Sequence, residues 1–154
     1  MNIFPAFSFK ACLECLSLGH NGPENPRAVN IAESAPFSTD NGWLTLEHDQ
    51  APMVFSFDYQ TQTHDRVLVG ISSASKGAWE GALLNSSRNG YLGMYWYRGE
   101  HEYWRIQPLG EWKPGAVLDF TLRTWEGREV GIIAGNYLSV GADTVAVFRA
   151  TPED

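Results

Sequence analysis

Between Asn89 and Arg105 the chain concentrates six aromatic rings and two arginines, more recognition chemistry than any other stretch carries. Gly99-Glu100 suits a two-residue type II′ turn, because glycine tolerates positive φ at the first central position. That turn would set Trp96 opposite Tyr103 and Tyr95 opposite Trp104. Side chains alternate across a sheet, so the hairpin sorts into two faces. Tyr91, Tyr95, Tyr97, Trp104 and Ile106 fall on a core face. Met94, Trp96, Arg98, His101, Tyr103, Arg105 and Gln107 fall on the other, where aromatic planes stand beside long polar donors. Such a mixture suits a ligand-binding surface. It equally suits a core rim across which arginine stems lie.

Two carboxylates interrupt apolar strands, Glu102 and Asp119, and a charge there must be paired or at the surface. A buried Glu102 would have a raised pKa and could act as general acid or base, with His101 beside it and Asp119 as a further candidate. An exposed Glu102 would be a rim residue. Arg123 and Trp125 alternate onto the face opposite Phe120 and Leu122. With Trp96, Arg98, Tyr103 and Arg105 they can complete an aromatic, arginine-lined ligand site. The chain has no GxSxG, Walker A, HExxH or GxGxxG motif, so no cofactor is expected. Cys12 and Cys15 make one CxxC without a second pair, and neither bound metal nor a disulfide is expected from it. His64-Asp65 reads as part of a solvated turn over Gln60 to Asp65.

The elements that must position these residues are strands. Met53, Phe55, Phe57 and Tyr59 alternate onto one face, as do Val67, Val69 and Ile71, and again Leu118, Phe120 and Leu122. Ala78 to Leu84 is a less clean third strand. Glu126-Gly127 turns the chain into Arg128 to Ile133. Asn136 to Val140 and Thr144 to Arg149 pair around Gly141-Ala142-Asp143. Strands at about 8- to 12-residue spacing with turn residues between them predict an all-β fold, an antiparallel β-sandwich (jelly-roll-like) or a flattened barrel. One domain is expected over 1–154, with the β-structure over 41–154. Residues 1–40 read as an irregular or short-helical arm, the helix over Phe4 to Leu18, covering an open end or edge of the sheet.

A net charge of −7 argues against nucleic acid and anionic membranes as partners, since both select clustered cations. No run approaches the roughly 20 apolar residues that span a bilayer. The first residues lack a positive n-region, and Lys10 and Glu14 interrupt the apolar stretch, which reads as a cytoplasmic protein.

The run Phe120-Thr121-Leu122-Arg123-Thr124-Trp125-Glu126-Gly127-Arg128-Glu129-Val130-Gly131 resembles the aromatic strand, glycine turn and Val-Gly segment of the farnesoic acid O-methyltransferase-type domain. The resemblance covers about residues 50–150, with Met53 to Ser72 and Trp79 to Arg98 in the family's order. It departs where Leu83-Leu84-Asn85 follows Glu80-Gly81 in place of the family's glycine-and-arginine segment. What it implies is a β-sandwich binding module without a methyl-donor site.

Three functions fit these residues. The first is a carbohydrate-binding, lectin-like module, because sugar C–H faces stack on Trp and Tyr while hydroxyls need Arg, Gln and Glu. The second is a cofactor-independent cyclase or isomerase acting on an apolar small molecule such as a terpenoid or polyketide intermediate. The third uses the aromatics as hot spots for a protein partner, a second copy of the chain included. A polar-flanked surface groove favours the first, and a closed apolar pocket with one buried ionisable group favours the second.

Overall fold

The computed structural model describes residues 4–16, 26–31, 42–47, 51–77, 79–96, 102–133 and 136–153. These residues form thirteen strands and no helix. In chain order the strands are β1 (Phe9–Cys15), β2 (Arg27–Ile31), β3 (Leu44–Glu47), β4 (Val54–Gln62), β5 (Val67–Ser73), β6 (Leu83–Ser86), β7 (Leu92–Tyr95), β8 (Tyr103–Pro108), β9 (Leu118–Thr124), β10 (Val130–Ile133), β11 (Tyr137–Val140), β12 (Thr144–Val145) and β13 (Val147–Pro152).

Six of them close an antiparallel ring in the order β1, β4, β5, β8, β9, β13 and back to β1. The ring forks at two places. On one edge β1 pairs with β4 through Phe9 to Cys12, then with β2 at Glu14 and Cys15. On one edge β5 pairs with β8 through Val67 to Gly70, then with β6 at Ser72. One outer branch runs β2, β3, β11, β10, β12, and the other runs β6, β7. The branches meet at the Trp43–Gly93 and Tyr91–Ser139 bridges. There the backbones come so close that a Cβ on Gly42 would collide with the Met94 carbonyl. Only glycine fits at that point.

Inward alternation explains the ring. Phe55, Phe57, Val67, Val69, Trp104, Ile106, Leu118, Phe120, Leu122 and Phe148 are all buried. Phe9 stacks on Phe57 at 4.8 Å, Phe57 meets Phe120 edge-on at 6.4 Å, and Phe120 lies 5.7 Å from Phe148. This column ties four ring strands together, and each buried phenylalanine contributes about 1.5–3 kcal/mol. Trp112, from the β8–β9 connection, packs on Phe7 and Phe9 and joins the core. One internal space of about 10 Å³ is bounded by apolar side chains such as Leu13, Phe55 and Phe148.

Several expectations are corrected. The helix over Phe4 to Leu18 is instead β1, in the ring and not an arm over it. Ala11, Leu13 and Cys15 point inward at period two, and β4 and β13 satisfy the backbone on both sides. That alternation also puts Cys12 and Cys15 on opposite faces, so the two thiols cannot converge on one ion or on each other. Residues 27–31, placed in the same arm, form β2.

The aromatic hairpin does not form. β7 pairs with β6, while both edges of β8 are taken by β5 and β9. Gly99-Glu100 lies outside the described residues. Trp104 and Ile106 are core as expected, but so is Met94, which the hairpin register placed on the outer face. The strand foreseen over Ala78 to Leu84 is largely turn, with β6 starting at Leu83. Nor do Asn136 to Val140 and Thr144 to Arg149 pair. β10 lies between β11 and β12, and β13 crosses to β1 and β9. No helix among the described residues is long and apolar enough to cross a membrane.

Candidate functional site

One register row crosses the outside of the ring over four strands: Thr61 on β4, Leu68 on β5, Arg105 on β8 and Arg123 on β9. Because Val67, Val69, Trp104, Ile106 and Leu122 point inward, this row points out. A register shift in β4 between Tyr59 and Thr61 bends that strand just before its turn. The turn over Gln62 to Arg66 then stands beside the row. It is closed by the Thr63 N–H donating to the Arg66 carbonyl at 2.9 Å. Across the sheet, the β9–β10 turn carries Trp125. Between the two turns lies an open cleft of about 520 Å³, lined by Thr61 to Arg66, Leu68, Arg105 and Trp125.

Each wall is held by side-chain hydrogen bonds. Arg66 donates twice to Asp65, Nε to Oδ1 and Nη2 to Oδ2, both at 3.0 Å, and the Thr63 hydroxyl donates to Oδ1 at 2.9 Å. The Arg66 and Thr63 hydrogen bonds hold the Asp65 carboxyl well below its usual range, so it stays ionised through all ordinary acidities. Gln62 accepts from the Phe4 N–H and donates to the Phe4 carbonyl, both at 3.0 Å, tying the chain's first described residues to the same wall.

On the opposite wall Arg123 is a strut. Its Nη1 donates to the Gly127 carbonyl at 2.9 Å, its Nε to Gln107 Oε1 at 3.3 Å, and its Nη2 lies 3.4 Å from Glu129. Gly127 has a φ of 101°, which only glycine adopts without strain, so the turn carrying Trp125 has one shape. Trp125 itself is 55% exposed. A large exposed aromatic at the mouth of an open cleft edged by polar residues is the arrangement that ligand stacking requires.

Arg105 differs from its neighbours. It lies half-buried in the cleft, near enough to Gly127 that a Cβ there would be 3.7 Å from Nη1. Among the described residues it has no hydrogen-bond or ion-pair partner.

The remaining expected site residues are placed elsewhere or serve the fold. Trp96 is exposed but lies against Gly81, not in the cleft. Tyr103 is on the outer face of β8 opposite Gly70 and does not line the cleft. Arg98 and His101 lie outside the described residues. Glu102 sits where β6 and β8 diverge from β5. Its carboxylate accepts from the Ser86 N–H and from the Ser86 hydroxyl at 2.9 Å, while its own N–H donates to Asn85 Oδ1 at 2.9 Å. Trp104 Nε1 donates to the Leu84 carbonyl at 3.0 Å at the same fork. Asp119 pairs bidentately with Arg149 at 2.8 and 3.0 Å. Neither carboxylate faces the cleft.

Of the residues expected to bind a ligand, Arg105 and Trp125 line this cleft, Arg123 braces its wall, and the turn over Gln60 to Asp65, expected to be merely solvated, stands at its edge. The missed signal was the pairing of β5 with β8, which brings that turn to Arg105. Comparison with known proteins returns no matching family model, no matching curated protein and no matching solved structure.

Proposed function

We propose that this protein is a non-catalytic saccharide-binding module whose site is the outer cleft between Trp125 and the Thr61–Arg66 turn. The observation that carries this reading is Trp125, more than half exposed, standing over a groove edged with hydroxyl, amide, imidazole and guanidinium groups. A pyranose offers an apolar C–H face to the indole and hydroxyls to Thr61, Thr63, His64 and Arg105. The cleft is open along the surface, which suits one unit of a longer glycan. The fold belongs to the same proposal: a flattened, sandwich-like ring, in line with the binding module that the farnesoic acid O-methyltransferase-type resemblance implies.

The cyclase or isomerase alternative has less support. The apolar space of about 10 Å³ behind Leu13, Phe55 and Phe148 is at the lower limit for a single water. Glu102 and Asp119 spend their acceptors on Ser86 and Arg149. The test is a carbohydrate microarray followed by calorimetry on the saccharides that bind. Trp125→Ala is expected to weaken binding at least tenfold with the melting temperature nearly unchanged, because the indole is more than half exposed. Full binding by Trp125→Ala would overturn the assignment of the cleft.

A further inference from the structure

Resting on the saccharide reading above, we infer that the sugar seated in the cleft is acidic, carrying a single carboxylate that pairs with Arg105. Two arginines flank Arg105, and both are neutralised within the protein. Arg66 is held by Asp65 through two hydrogen bonds of 3.0 Å, and Arg123 faces Glu129 at 3.4 Å. Arg105 is half-buried with its charge unmatched among the described residues. A guanidinium presents a planar fork of N–H donors that fits a carboxylate bidentately. The fork lines the open cleft with its donors uncommitted among the described residues, and a ligand carboxylate is the group that matches them.

The surroundings set the charge of the ligand. Asp65 lies in the same cleft, but Arg66 and the Thr63 hydroxyl occupy it, so it offers little repulsion to an incoming acid. The chain as a whole carries −7, which repels a polyanion from a distance. One carboxylate close to Arg105 is favoured at short range, where salt screens it little. In the cleft a heavily sulfated chain meets, among the described arginines, only Arg105 without an acidic partner, on a net negative protein. The geometry therefore points to a uronate or similar monocarboxylate sugar, its ring face on Trp125 and its acid group at Arg105.

The test is calorimetry with oligosaccharides of galacturonate, glucuronate, mannuronate and guluronate and with sialyllactose, each beside its carboxyl-reduced counterpart. A heparin tetrasaccharide serves as the polyanion control. At least one acid form is expected to bind tenfold or more tighter than its reduced form. Arg105→Gln should weaken the acid form about ten- to a hundredfold and the reduced form, which loses only a neutral hydroxyl contact, by less than tenfold, while Arg105→Lys should restore part of the difference. Circular dichroism on both variants checks the fold. Equal binding of acid and reduced forms, or tighter binding of the heparin tetrasaccharide, overturns this inference and leaves the saccharide site standing. If neither the panel nor a neutral-glycan array yields a ligand, both readings fall together.

Discussion

Glu102→Ala separates a structural carboxylate from a catalytic one. Among the described residues the Glu102 carboxylate satisfies the Ser86 N–H and hydroxyl where β6 leaves the edge of β5. Hydrogen bonds to a charged group are worth about 1.5–3 kcal/mol each when nothing replaces them. Both groups are partly exposed, so water recovers some of that, and about 2–3 kcal/mol of destabilisation is expected for the pair. The backbone N–H of residue 102 still reaches Asn85 Oδ1, so the substitution isolates the carboxylate. For a chain of this length the loss corresponds to a fall in melting temperature of about 5–10 °C. Glu102→Gln keeps one acceptor oxygen and should lose only about 1 kcal/mol. Urea denaturation with an unchanged slope is the assay. Stability within about 0.5 kcal/mol of the parent for Glu102→Ala would refute the fork account, that being the scatter of an ordinary surface change. Loss of ligand binding at unchanged stability would return Glu102 to the functional site.

Two further outcomes follow from neighbouring charges. Burial, and secondarily the Glu102 charge, raise the Tyr95 phenol above its ordinary 10.0. The folded state thus holds that proton more tightly than the unfolded chain does. Its contribution to stability is complete below about pH 10 and is lost as pH rises through the folded value. Glu102→Gln should lower the phenol's titration in an ultraviolet phenolate measurement, and no movement would show that the two groups do not interact. Asp119→Asn breaks the ion pair with Arg149, whose side chains are 42% and 37% exposed for Arg149 and Asp119. It should change stability by at most about 1 kcal/mol and leave saccharide affinity unaltered. A collapse in affinity would make Asp119 a functional group.

The strands with a buried face were legible because each alternates over several residues: Phe55 and Phe57, Val67 to Ile71, Leu118 to Leu122. Partner choice was not legible. Gly99-Glu100 argued for a local hairpin, yet β8 gains more by seating Trp104 and Ile106 between β5 and β9, far apart in sequence. β1 was hidden for the opposite reason. Its period-two pattern, Ala11, Leu13 and Cys15, spans only three inward positions. The same ignorance of strand order divided the candidate site. Arg105 and Trp125 stood out by residue type, whereas Thr61 to Arg66 gained meaning only once β5 brought that turn alongside β8. Trp96 looked equivalent to Trp125 in sequence and differs only in where its strand ends.

That difference gives the most direct test of the central claim. The indole N–H resonances of the six tryptophans can be followed by NMR during titration with a saccharide that binds, with Trp125 assigned through Trp125→Phe. The account predicts that the Trp125 indole shifts first and furthest, while those of the buried Trp104 and of Trp96 beside Gly81 stay in place. A titration that moves Trp96 and leaves Trp125 still would contradict it.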